Sequence, residues 1–385
     1  MIIRTSLNLG HMEFRELPEA TRAIMREREW TQARLGEAWG RTQAWVSLVA
    51  GGKQDVGFHR LSRLLGRVGY EVVIRRKIDE AEVKRRAFLT SVATVTLVPS
   101  ADGNPYRDPD YVGLVSDRVN KSLYESGGLT SFQDAARHLR RVQNAVTGGK
   151  DDRLLKAASS LARQVSLVQY DARRLPQAQE AGRLAAAFAR AGGDNDAQAW
   201  ALNELAMFHA YQGDGRRGEW YARQALTVPD ISPTREARAS MQLGRALGLL
   251  GEKRHSSMSL DRAREFGTGL SDFQRADLIG GVGVAFYAQK AWKDAQDALH
   301  EAVELISPTS PLLGANYLAR QVQAAFQSAE PLLAVELLGT LTRVAPLVSS
   351  ARLDGYLTEI MSLSTPWRDV PEVRDARERL LTLLA

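Results

Sequence analysis

Cysteine is absent from all 385 residues, which removes disulfides, thiol catalysis and cysteine-ligated zinc together. Histidine is scarce: the six residues at 11, 59, 138, 209, 255 and 300 are scattered, and no pair has metal-ligand spacing. No run of about 18 apolar residues occurs, so no membrane span is expected. The twelve mostly apolar residues 87–98 are too short for one. A basic, apolar leader is missing as well, so secretion is not indicated. Lys84-Arg85-Arg86-Ala87-Phe88-Leu89 has the pattern of a twin-arginine export signal but begins only at residue 84, and it reads as a solvated helix. These absences fit a cytoplasmic protein. No nucleophile–base arrangement can be drawn, so neither an enzyme nor a cofactor or metal is expected.

What is present is unevenly placed. The chain is long enough for two or three domains, and its 44% hydrophobic residues can fill a substantial core. The formal charge is +6, yet residues 1–77 hold 14 Lys+Arg against 8 Asp+Glu and the remainder is balanced. All the excess positive charge therefore sits in one segment, as attraction to a phosphate backbone requires. Only 9 of the 51 basic residues are lysine, a bias that fits a GC-rich genome.

Within that segment, residues 13–77 read as four helices. Pro18 and Glu19 open the first, with Leu17, Ala20, Ile24 and Met25 available to a core. Thr31 can cap a second helix, Gln32–Trp39, which Gly40 ends. Thr42 can cap a third, Gln43–Ala50, which Gly51-Gly52 stops because glycine tolerates the left-handed conformation of a helix end. A fourth runs from Phe58, through Leu61, Leu64, Leu65 and Val68, to Gly69. At about 100° per residue, Val46 and Val49 point to the core. Gln43, Ala44, Ser47 and Leu48 share the opposite face. A glutamine on such a face can bond adenine twice, and Ala44 and Leu48 can meet thymine methyls. Trp45 lies on the flank. With Thr31, Gln32, Arg41, Thr42 and Lys53 it forms the expected contact set for the DNA backbone.

The Thr31-Gln32 opening, Leu35, Gly36, Gly40, Thr42-Gln43, Val46-Ser47 and the Gly52-Lys53 exit together resemble the lambda-repressor-like (XRE) helix-turn-helix domain over about sixty residues. Arg41 and Leu48 depart from that family, which usually has an apolar residue at the first position and often a polar or basic one at the second. The resemblance implies a double-stranded DNA operator as partner, and a homodimer, because one head covers a half-site. Residues 1–12 stay unassigned.

Residues 78–152 read as a helical linker region: a helix from Ile78 to about Thr96, a loop over Pro99 to Pro109, then helices near Tyr111–Tyr124 and Thr130–Val146. Beyond it, residues 153–348 repeat. A small residue recurs at Ser166, Ala206, Gly244 and Gly283, in steps of 40, 38 and 39, and another at Ala225, Ala263 and Ala302. These positions resemble the tetratricopeptide repeat, with clear units at 199–230, 237–268 and 276–308, weaker ones near 159–192 and 315–348, and capping helices in 349–385. Gly280-Gly281-Val282-Gly283 falls inside a repeat helix with no preceding strand, so it reads as close helix packing and not as a phosphate loop. His209 reads as a packing residue between helices.

In such a superhelix the concave groove is lined by the first helix of each pair. The register places Arg163, Gln164, Asn203, Met207 and Arg238 there, followed by Gln242, Arg245, Arg320 and Gln323, with Trp200 and Tyr170 as aromatic walls. Guanidinium groups suit a carboxylate, and amides can bond an extended peptide on both its donor and acceptor sides. The whole is therefore expected to be all-α: an N-terminal helix-turn-helix domain followed by a tetratricopeptide superhelix. The pairing resembles peptide-sensing regulators of Gram-positive bacteria, actinomycetes included, and implies a signalling peptide or small molecule in the groove. The alternative is an adaptor whose groove binds a partner protein and whose head no longer binds DNA.

Overall fold

The computed structural model describes residues 2–5, 12–13, 17–52, 64–65, 68, 70–73, 104–147, 151–265 and 270–384. The chain divides into two units, Met1–Thr96 and Leu97–Ala385, and each carries its own core.

In the first unit α1 (Leu17–Glu27), α2 (Gln32–Trp39) and α3 (Gln43–Ala50) are bounded as their end residues dictate. The Thr31 hydroxyl accepts the Arg34 N–H at 3.2 Å and the Thr42 hydroxyl accepts that of Trp45 at 3.3 Å. Gly40 ends α2 in the left-handed conformation, φ 64°. Of the Gly51-Gly52 pair only Gly52 is left-handed, φ 73°. Gly36 is required by the turn, since a Cβ there would lie 2.8 Å from the Arg41 carbonyl oxygen. Arg22 donates to the Ala50 carbonyl at 2.9 Å, tying the end of α3 to α1. Ile24, Leu35, Trp39, Val46, Val49, Leu64, Leu65 and Val68 form the core, and Met25 packs against it half-buried.

A small antiparallel sheet accompanies these helices. β1 (Ile2–Thr5) lies between β2 (Met12–Glu13) and β3 (Tyr70–Val73), with Ile2 opposite Val73. It gives a role to part of residues 1–12, which the sequence reading left unassigned. The chain is otherwise all-helical among the described residues. Lys53, most of the fourth helix and the helix expected over 78–96 lie outside the described residues, as do the side chains of Leu17 and Ala20.

Among the described residues the second unit is a tetratricopeptide-like array of seven helix pairs. They are α4 (Pro109–Ser126) with α5 (Phe132–Val146), α6 (Asp152–Asp171) with α7 (Leu175–Ala191), and α8 (Asn195–Tyr211) with α9 (Gly215–Leu226). Then follow α10 (Pro233–Leu249) with α11 (Lys253–Glu265), and α12 (Asp272–Ala288) with α13 (Trp292–Ile306). The array ends with α14 (Pro311–Gln327) and α15 (Pro331–Val344), then α16 (Ala351–Leu363) and α17 (Pro371–Leu384). The two helices expected late in the linker region belong to this array. Val112, Val115 and Leu123 of α4 and Leu139 and Val142 of α5 share one core with α6.

Small residues let the helices close on one another. Ser166 and Ala206 are fully buried, and a Cβ on Gly244 or Gly283 would come within 2.7 Å of Leu260 or Leu299. Gly280 faces the Tyr317 ring so closely that a Cβ would sit 2.4 Å from it, so the glycine run serves helix packing. The turn between the two helices of each central pair repeats one left-handed residue, carried in order by Arg173, Gly213, Gly251, Lys290 and Ala329.

The array closes on itself. α4 packs against α14, and α6 against α16. The Ser126 carbonyl accepts the Ser349 N–H at 2.7 Å, and the Ser349 carbonyl accepts the Leu129 N–H at 3.1 Å. Buried Asp171 accepts the Gly128 N–H and the Ser350 hydroxyl, each at 2.8 Å, and lies 3.4 Å from Arg352. Gly127, φ 85°, fits where a Cβ would be 2.3 Å from the Ser349 carbonyl oxygen.

Candidate functional site

Two surfaces carry the predicted residues. In the first unit Gln43, Ala44, Ser47 and Leu48 are exposed on one side of α3, while Val46 and Val49 are buried on the other. Leu48 is 43% exposed, an apolar side chain kept at the surface. Trp45 is half-buried, edge-on to Trp39 at 6.2 Å, with the Arg41 guanidinium 5.6 Å over its ring. Thr31, Arg41 and Thr42 are exposed and Gln32 is half-buried. Each threonine hydroxyl accepts its helix-cap N–H and keeps its O–H donor, so these sites offer outward both hydroxyl and backbone N–H groups.

In the second unit a cavity of about 620 Å³ opens inside the closed array. Its lining comes from the first helices of all seven pairs and the residues just before them, as the repeat geometry dictates. Arg163, Gln164, Trp200, Asn203, Met207, Arg238, Gln242, Arg245 and Arg320 all line it. Gln323 does not. It is buried beneath the wall, where its amide donates to the Tyr356 carbonyl and to Glu359, each at 3.1 Å, and accepts from Arg320 at 2.7 Å.

Trp200 also differs from the expected aromatic wall. The Arg163 and Arg235 guanidinium carbons lie 3.8 and 3.4 Å from its ring centroid. Two guanidinium groups at that distance cannot share one face, so Trp200 is clamped on both sides where it lines the cavity. Arg235, Arg352 and Tyr356, which sequence reasoning passed over, are equally part of the lining. Arg235 sits seven residues before Gln242 on the same helix, a spacing that would have found it.

Most of the buried charge is matched inside the wall. Arg163 pairs with Glu204 at 2.9 Å, Arg238 with Asp277, Arg320 with Glu359 at 3.5 Å and Arg352 with Asp171 at 3.4 Å. Arg235 lies 3.8 Å from Asp196. Burial pulls its guanidinium down to about 10, still protonated at neutral pH. Burial pushes the Glu204 carboxyl up, against the opposing pull of Arg163. Arg245 is 8% exposed and makes no ion pair or hydrogen bond with any described residue. Burial lowers its affinity for its proton; the neighbouring Tyr170 and Tyr356 hydroxyls oppose that, and Arg320 and Arg352 add to it.

Gln164, Asn203 and Gln242 lie 39 residues apart on α6, α8 and α10, so they occupy one position in three successive repeats. Each is at most 5% exposed, and each side-chain oxygen lacks a hydrogen-bond partner among the described residues. Asn316 on α14 is similar: its amide N–H donates to the Leu312 carbonyl at 2.7 Å, and its oxygen has no partner. Buried acceptors of this kind are costly unless something bonds them.

No histidine lines the cavity. His209 is buried against Tyr221, the rings stacked at 5.3 Å, in the packing role its repeat position implies. Among the described residues no helix is long and apolar enough to cross a membrane, and no group of three or more acidic or histidine side chains could hold a metal.

No family model matches the chain, and no curated protein matches it. Solved structures do. A Rap protein complexed with competence and sporulation factor is similar at 13% identity over 95% of this chain and 89% of that one, with a TM-score of 0.46. Bacillus thuringiensis PlcR, in complex with the peptide PapR7 and DNA, is similar at 10% identity over 96% and 99%, TM-score 0.36. The APC/C hetero-tetramer Cut9-Hcn1 follows at 14% identity over 94% and 69%, TM-score 0.31. The architecture itself rests on the helix pairs and the closed array described above.

Proposed function

We propose that this protein is a cytoplasmic, ligand-responsive transcription regulator, acting as a homodimer, whose head reads a DNA operator and whose cavity takes a peptide or small molecule. The observation that carries the ligand half is the row formed by Gln164, Asn203 and Gln242. Amide side chains at one position of three successive repeats line the cavity, where their N–H groups can donate to the carbonyls of an extended ligand, a place that packing alone would give to apolar side chains. The DNA half is supported by the exposed Gln43/Ala44/Ser47/Leu48 face, by backbone amides at the starts of α2 and α3, and by the excess positive charge confined to residues 1–77. Catalysis has no part in this reading.

Ligand and DNA are coupled if the ligand binds one conformation of the array better than another, and only by that difference in affinity. Genome-wide recovery of DNA bound to the protein, with and without cell extract, tests both halves. Discrete sites that appear or vanish with extract are the expected result. Binding to no fragment, under either condition, leaves the adaptor reading in its place. At a recovered site Gln43→Ala relaxes selection at one base position, whereas Lys53→Ala weakens binding to all sequences alike and lowers the salt slope by about 1.

A further inference from the structure

Six arginines reach the cavity, and the fold provides a carboxylate within ion-pair distance for five of them. Glu204, Asp196, Asp277, Glu359 and Asp171 stand against Arg163, Arg235, Arg238, Arg320 and Arg352 respectively. Arg245 is the sixth. It is more than nine-tenths buried, lines the cavity, and has no acidic partner among the described residues. A cation so far buried without a carboxylate counter-ion is unfavourable, so the site favours an anionic partner from outside the chain.

Its position says which part of a ligand that partner would be. Arg245 lies three residues after Gln242 on α10, so the two side chains share a helix face, with Arg245 about one turn along the helix from the last member of the amide row. Two further guanidinium groups frame the place: Arg320 lies 4.1 Å over the Tyr356 ring and Arg352 lies 4.7 Å over that of Tyr170. Both remain matched by Glu359 and Asp171, so they add positive potential without being the free charge. A planar guanidinium fork recognises a carboxylate through two parallel hydrogen bonds.

We infer that Arg245 is the subsite for a carboxylate on the cavity's ligand, so that the ligand class is an organic acid, peptidic or small, seated by its anionic end beside Gln242. This rests on the cavity being a ligand site, as proposed above, and adds the charge and the orientation of what enters it.

The test uses the full chain and its melting temperature. Four additives at millimolar concentration serve as probes: a random pentapeptide pool with free C-terminal carboxylates, the same pool amidated, benzoate, and sodium chloride at matched ionic strength. The free-acid pool, benzoate or both raise the wild-type Tm, by roughly 5 °C at about a hundred times Kd, while the amidated pool and chloride do not. Arg245→Met loses the response, and its Tm without additive equals or exceeds that of wild type, because no unmatched charge then has to be buried. Arg245→Lys recovers part of the response. A response to the peptide pool alone identifies the acid as a peptide, and a response to benzoate alone identifies it as a small molecule.

The assignment is overturned if Arg245→Met melts several degrees lower without additive, which makes Arg245 a structural residue. It also fails if amidated and free-acid pools stabilise alike, in which case the cavity remains a ligand site and only the subsite is wrong. If no probe and no cell extract shifts the wild-type Tm, both the subsite and the ligand-binding reading fall.

Discussion

On α3 the polar face looks outward, whereas on α6, α8 and α10 it looks inward. Gln43 and Ser47 stand in solvent on a helix of eight residues, held by two buried valines and a threonine cap. Gln164, Asn203 and Gln242 are at most 5% exposed on helices of 17 to 20 residues, packed on both flanks by neighbouring repeats. In the proposed function the first arrangement keeps its polar groups satisfied by water until DNA displaces it, and the second holds its amides ready for a ligand. The lesson is energetic. A face that meets a polymer can be built cheaply on a small core, whereas a pocket that holds a small polar molecule needs a large scaffold to keep costly groups in place.

That contrast predicts how substitutions behave, starting with the severest. Asp171→Ala leaves Arg352 buried without its carboxylate and removes two hydrogen bonds, one to Gly128 in the first pair and one to Ser350 that joins the start and end of the array. It should cost about 3–5 kcal/mol, read as a large fall in the melting midpoint of the second unit. Gln43→Ala should do the reverse, leaving the melting midpoint of the first unit within about 0.5 kcal/mol of wild type while costing about 1–3 kcal/mol at one operator position. If Gln43→Ala unfolds the head, or Asp171→Ala melts like wild type, the contrast is wrong.

Smaller effects sharpen it. Ala329 holds a left-handed turn at φ 61° where two other repeats use glycine. Ala329→Gly should therefore stabilise the array by roughly 0.5–1 kcal/mol in urea unfolding. Burial lowers the proton affinity of His209 below its ordinary value of 6.5. The unfolded chain takes up a proton there that the folded array resists, so this contribution to stability is present above pH 6.5 and is lost as the pH falls. His209→Phe, which keeps a ring against Tyr221, should flatten the loss between about pH 6.5 and 5.5 by up to about 1 kcal/mol.

Much of this was legible in the chain. Thr31, Gly40 and Thr42 announce their helix ends because capping is local chemistry, and the small residues from Ser166 to Gly283 announce the repeat because close helix approach recurs at a fixed spacing. The same periodicity placed nine of the ten groove residues at the cavity. Gln323 fails because the repeat register says which way a residue turns, not whether a neighbouring carbonyl will cover it. The recurring left-handed turn stayed hidden at Arg173, Lys290 and Ala329 because tertiary packing imposes it on residues that do not favour it. Arg352 and Tyr356 belong to the capping helices, and nothing periodic ties them to α6. β1 is four residues long, too short for an alternating pattern to register.

Meeting of first and last pairs changes how the second unit must fold and fail. An open solenoid frays from its ends, and each repeat adds its own increment to stability. Here the Ser350 hydroxyl reaches Asp171 across 179 residues of sequence, so neither terminus is free to peel away by itself. Closing so long a loop is an entropically expensive, late event during folding. Once made, it should turn seven loosely independent steps into a single cooperative transition.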